Sequence, residues 1–191
     1  MVHYVRGKNC IILTVGDRFM LYWMKPLPET KIEDDFRPFI KNEWFRTHFM
    51  WFVYALQLIL IFLSIIIGAW NFPSIFQKLL IFIIVYLIHE LFHIVVIYRI
   101  GNISLTHSGI FFWINSDAKM SKARFWLFMT LPFLLLTIVP CIIMHWVNGE
   151  MFPYLQYVAW INAIIAGADI INSVLILIKP RKSIFYRGYY K

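Results

Sequence analysis

The stretch LLIFIIVYLIHELFHIVVIY, from Leu79 to Tyr98, decides how this 191-residue chain is read. A helix of about 20 apolar residues crosses a bilayer core of about 30 Å, and this run has that length. Three ionisable groups interrupt it, His89, Glu90 and His93, in the spacing H-E-x-x-H. On a helix His89 and His93 lie one turn apart on one face, so both imidazoles can hold one zinc ion. Glu90 is turned about 100° from His89 and can act as general base towards a water that the ion activates. Ionisable groups are costly at this depth and persist there with a partner or a task. The run therefore predicts a transmembrane helix that carries metal-dependent chemistry.

The composition agrees. Hydrophobic residues make up 61% of the chain and charged residues 15%, the balance of a membrane protein rather than a soluble domain. A net charge of +8 would suggest nucleic acid in a soluble chain. Here the basic residues lie mostly in two tails and one loop, with no basic stripe or nucleic-acid module, so nucleic acid is not an expected partner. Anionic headgroups of the lipid bilayer are the simpler partner. Cys10 and Cys141 are expected as free thiols. Charges at Arg6, Lys8, Asp17 and Arg18 break up any signal-peptide core.

Four segments reach spanning length: Phe49 to Trp70, Leu79 to Tyr98, Phe125 to Val147 and Tyr154 to Ile178. Lys and Arg gather before the first (Arg37, Lys41, Arg46), between the second and third (Arg99, Lys119, Lys122, Arg124) and after the fourth (Lys179, Arg181, Lys182, Arg187, Lys191). The positive-inside rule then puts both termini and the central loop of a multi-pass cell-membrane protein in the cytoplasm. Trp70, Phe72, Trp146 and Tyr154 fit the outer interface, Tyr98 and Trp126 the inner one. Ile11–Val15 and Phe19–Trp23, parted by Gly16 and Asp17, read as a β-hairpin. Pro26, Pro28 and the run Glu33 to Asp35 read as a surface linker. Ile103–Thr106 and Ile110–Trp113, with Gly109 in the turn, read as a second hairpin. The expected fold is an all-α membrane protein of four transmembrane helices, with a small cytoplasmic N-terminal hairpin and a hairpin-like loop between helices two and three. It divides into a cytoplasmic segment 1–48, a transmembrane metalloprotease-like domain 49–178 and a basic cytoplasmic tail 179–191.

A catalytic zinc site uses three protein ligands and a water. His107, His145, Asp117, Glu150 and Asp169 are the candidates for the third ligand. Depth separates them. His89 lies ten residues before Arg99, and Asp169 ten residues before Lys179. At about 1.5 Å per residue both sit roughly 15 Å from the same boundary, on spans that run in the same direction. His145 and Glu150 fall at the outer end. His107 and Asp117 belong to the central loop and could reach the site only through a re-entrant segment. Asn162, Ala166, Asp169 and Ser173 share a helical arc whose small and polar residues suit close packing on another helix. For Asp169 a hydrogen bond to backbone or to the third span is the plain alternative, and for Asn162 an interhelical hydrogen bond.

Together these residues resemble the site-2 protease class of intramembrane zinc metalloproteases, and more closely a group of small bacterial membrane proteins described as "putative zincin peptidases". The resemblance covers His89-Glu90-x-x-His93, the loop after it, Leu131-Pro132, and Asn162 to Asp169. It implies that His89, His93 and Asp169 bind Zn2+, that Glu90 is catalytic by activating water, and that Asn162 orients or polarises a substrate peptide. It implies a metallo-endopeptidase acting on a transmembrane or membrane-associated polypeptide. A non-catalytic reading stays open beside it, in which the same residues form a metal-binding or structural node, or a pseudo-protease that binds transmembrane partners.

Overall fold

Inside a bilayer every backbone N–H and C=O must be bonded within the protein, so the long apolar runs of this chain coil into helices. The computed structural model describes residues 2–7, 10–15, 20–23, 27–28, 30–71, 74–108 and 111–191, with the strands before residue 24 and residues 107–113 given by their backbone. The predicted turns at Gly16-Asp17 and Gly109, together with Pro26, Phe72 and the thiol of Cys10, lie outside the described residues. Cys141 is a free thiol.

The chain divides into two compact units. The first contains residues 42–93 and 126–178. A short helix α1 (Glu43–Thr47) opens it, capped by Asn42, whose side chain accepts from the Phe45 N–H at 2.9 Å. Helix α2 (Phe49–Ile66) and helix α3 (Ile75–Ile97) follow. Next come α4 (Lys122–Phe133), a π-helical turn at Leu134–Ile138 and α5 (Val139–Ile143), which run on as one path from Lys122 to Ile143. Helices α6 (Met151–Ile165) and α7 (Gly167–Leu177) complete the unit. Three of these paths are long and apolar enough to cross a membrane, and a fourth is added if α6 and α7 count as one span. That last pair departs from the straight helix expected over Tyr154 to Ile178: it is bent by 63° at Ala166. Gly167, a weak helix former, stands directly after the bend. One core cluster of the unit is Val85, Tyr157 and Ile161, with Trp70, Ile81 and Leu136 against it. Trp70, predicted as an interface anchor, donates its indole N–H to Ser64 Oγ at 2.7 Å and meets the Tyr157 ring edge-on. Leu58, Phe62, Leu79 and Leu87 on α2 and α3 face outward, as side chains in contact with acyl chains would.

The second unit gathers residues 1–41, 94–125 and 179–191. The strands of both predicted hairpins pair in it; those of the second are longer than expected, and the second strand of the first runs over Met20–Trp23. β2 (Cys10–Val15) pairs antiparallel with β3 (Met20–Trp23), and a further strand, β1 (Val2–Gly7), pairs with β2. β5 (Ile103–Ser108) pairs antiparallel with β6 (Phe111–Ser116). The two hairpins join through a parallel pairing of β3 with β5, in which Leu21 faces Ile103 and Trp23 faces Leu105. The result is a five-stranded sheet in the order β1-β2-β3-β5-β6. Asp117 closes the base of the second hairpin by accepting from the Asn102 backbone N–H at 2.6 Å and its Nδ2 at 2.9 Å. A smaller sheet forms from β4 (Arg37–Pro38), β7 (Met120–Ser121), β8 (Ile184–Tyr186) and β9 (Tyr189–Tyr190), in the order β4-β9-β8-β7. Phe39 packs edge-on against Phe125 and Phe185 beneath it, both at 5.8 Å. Glu33 joins Lys119 at 2.6 Å and Lys191 at 2.9 Å, and these two ammonium groups hold its carboxyl down at about 2.

Candidate metal centre

Helix α3 brings His89 and His93 onto one face because they are four residues apart. Their Nε2 atoms lie 3.1 Å from each other. Asp169 arrives from the first turn of α7, and its Oδ2 lies 3.1 Å from His89 Nε2 and 3.2 Å from His93 Nε2. The bend at Ala166 thus sets a half-buried carboxylate at a helix amino end, where the partial positive charge of the free N–H groups favours an anion. His89 is 2% exposed, His93 5%, and the Asp169 side chain 15%.

Each imidazole is fixed from behind. His93 Nδ1 lies 2.7 Å from the Phe128 carbonyl oxygen, which can only accept, so Nδ1 carries the proton. The sequence prepares that carbonyl. In an α-helix the Phe128 oxygen would bond the N–H of residue 132, and Pro132 has none. The proline thereby turns a main-chain acceptor towards the histidine. His89 Nδ1 donates to Asn162 Oδ1 at 2.9 Å. The orientation of that amide follows from its other contacts: Nδ2 faces the Pro132 carbonyl oxygen at 3.2 Å and Thr137 Oγ1 at 2.9 Å. Thr137, on the π-helical turn, donates in its turn to the Ala159 carbonyl oxygen at 3.1 Å. Asn162 is wholly buried, and its amide is engaged on the side of His89 away from Asp169.

With both Nδ1 atoms donating, each imidazole in its neutral form presents a bare lone pair at Nε2. Two such nitrogens and a carboxylate oxygen in mutual contact repel one another until a proton or a metal cation lies between them. Their size is right for zinc. Tetrahedral ligands at about 2.0–2.1 Å from the ion stand about 3.3–3.4 Å apart, and the three edges here are 3.1, 3.1 and 3.2 Å. His89, His93 and Asp169 are a group that could hold a metal ion. Two imidazoles and one carboxylate are a donor set that suits zinc and leaves a fourth position for water. Glu90, next to His89 on the helix, is half-buried and within electrostatic reach of both histidines and Asp169. Among the described residues its carboxylate makes no hydrogen bond.

Sequence reasoning singled out all four of these residues, and Asn162. It passed over Thr137 and Phe128. The only signal for Phe128 was the proline four residues on. Thr137 is an uncharged residue in an apolar run, and nothing local marks it. His107 and Asp117 were open as ligands; Asp117 is spent on Asn102, and the His107 side chain lies outside the described residues.

Replacing Pro132 with Ala restores a helical N–H that competes for the Phe128 carbonyl. Loss of an outer partner of a metal-binding histidine lowers affinity by about 10–100-fold. Zinc affinity of Pro132→Ala, measured by chelator competition, should fall within that span, and an affinity equal to wild type would show that the proline does not act through His93.

No curated protein and no solved structure matches this chain. A family profile does, over residues 82–184, more than half of the sequence, and its description is "putative zincin peptidase". On that match the chain belongs to the family so described, and is a multi-pass membrane member of it by its apolar helices.

Proposed function

We propose that this protein is a site-2 protease-like endopeptidase that hydrolyses peptide bonds within or beside the membrane. The observation that carries the reading is the contact of three possible ligand atoms, His89 Nε2, His93 Nε2 and Asp169 Oδ2, beside Glu90, whose carboxylate makes no hydrogen bond among the described residues. His89, His93 and Asp169 would hold the ion. A zinc ion, when bound, acidifies a water molecule and polarises a carbonyl oxygen. Glu90 takes the proton of the attacking water and delivers it to the leaving amine nitrogen. Asn162 is assigned to orienting His89, since its whole amide is committed there and to Pro132 and Thr137.

The site-2 protease pattern has a proline between its Asn and its Asp and a glycine directly after the Asp. Neither occurs here, where Asp169 is followed by Ile170. The bend at Ala166 nevertheless interrupts the helix between Asn162 and Asp169, which supports the likeness by another local route. We place both termini and the loop of residues 99–124 in the cytoplasm. Support comes from their gathering, with their basic residues, into one compact unit. The substrate is a transmembrane or membrane-associated polypeptide. It binds extended, pairing with the hairpin between Asn102 and Asp117; β6 is the terminal strand of its sheet and offers a backbone edge.

Purified protein in lipid nanodiscs, given a panel of single-span polypeptides, should yield fragments by mass spectrometry. A zinc chelator should end the cleavage and added zinc restore it. Cleavage that continues in a metal-free preparation would overturn the proposal.

A further inference from the structure

Gln57 is a polar side chain in the middle of α2, within the run Phe49–Ile66 that otherwise reads as lipid-spanning. Its Nε2 donates to the Ile164 carbonyl oxygen at 3.0 Å. That carbonyl stands two residues before the bend. A straight helix would bond it to the N–H of Ala168, four residues on; at the break only the Ala166 N–H, shared with the Asn162 carbonyl oxygen, turns towards it. A carbonyl in hydrocarbon needs a well-placed donor, and Gln57 on the neighbouring helix supplies one. Gly167 meets the same side chain from the other side of the break. A Cβ at that position would lie 2.9 Å from Gln57 Cγ, closer than side chains pack. The glycine and the glutamine thus fit one another at the point where the chain changes direction, two residues before Asp169.

We propose that Gln57 is a positioning residue of the metal centre: by bonding the carbonyl of Ile164 it holds the α6–α7 bend, and the bend sets Asp169 at the level of His89 and His93. The inference rests on the reading of these three residues as a metal site, and its effect on the ion passes only through the backbone.

Two measurements test it. Spin labels at Met151 and Val174, both exposed, are placed in a background with Cys10 and Cys141 replaced, and their separation is read by pulsed EPR. At about 1.5 Å rise per residue, full straightening would lengthen it by about 5 Å. Gln57→Leu, which keeps bulk and removes the donor, should shift or broaden the distribution towards longer distances. Gly167→Ala, which presses on the same contact, should act in the same direction. In the unlabelled variants zinc affinity, by chelator competition, should fall about tenfold, as for other outer partners of metal ligands. A distance distribution identical to wild type in both variants overturns the proposal, and so does a changed bend with unchanged zinc affinity. If wild type itself holds no zinc, the metal reading fails, and the distances alone then decide whether Gln57 holds the bend.

Discussion

Glu90→Gln should retain zinc at the wild-type level and lose peptide hydrolysis by about 10²–10⁴-fold, the range that a general base supplies. Glutamine has nearly the shape of glutamate, so the helix and the packing around it survive. What it lacks is a lone pair basic enough to take a proton from water. The ligand triangle is built from His89, His93 and Asp169, and Glu90 makes no hydrogen bond among the described residues that the exchange would break. Metal content and turnover should therefore separate. Equal turnover in the variant and wild type would remove Glu90 from the chemistry. A loss of zinc together with turnover would make it a ligand or a structural partner instead.

The second large effect is expected at Asp169. Asp169→Ala leaves two imidazoles with a gap where the carboxylate stood 3.1 and 3.2 Å from their Nε2 atoms. A direct ligand is worth more than an outer partner, so zinc affinity should fall by more than the roughly 100-fold that marks the upper end for outer-shell changes. Asp169→Asn keeps the shape, removes the charge and should fall between the two. Stoichiometry of the purified variants, read by atomic emission, checks both; zinc at the wild-type level in Asp169→Ala would exclude this residue as a ligand. Part of the loss should also show as lower stability, because two buried histidines would then face each other without their acidic partner.

Much of this architecture is written locally. Apolar runs of about 20 residues announce spans because lipid leaves the backbone no alternative to a helix. His89 and His93 announce their shared face by spacing alone, and Asp169 announces its depth by its distance from the basic boundary. The bend at Ala166 was not legible in the same way. Gly167 alone weakens a helix only slightly, and the side chain that meets the break is Gln57, more than one hundred residues earlier. The parallel pairing of β3 with β5 escaped for a related reason: it joins strands eighty residues apart, and period-two patterning says which residues form a strand and not which strand lies beside it. The orientation of both histidines was hidden too, because it depends on a carbonyl freed by Pro132 and on an amide held by Thr137.

The hydrogen bonds behind those rings all run one way, from His89 to Asn162, from Asn162 to Thr137 and Pro132, from Thr137 to Ala159, and from His93 to Phe128. Each path terminates in a peptide oxygen, an atom with no hydrogen to give back. Neither ring can exchange one tautomer for the other without setting oxygen against oxygen or nitrogen lone pair against oxygen. Both rings are in consequence held with Nε2 turned to the cluster, and Glu90, which makes no hydrogen bond among the described residues, is the side chain suited to the proton transfers of the proposed mechanism.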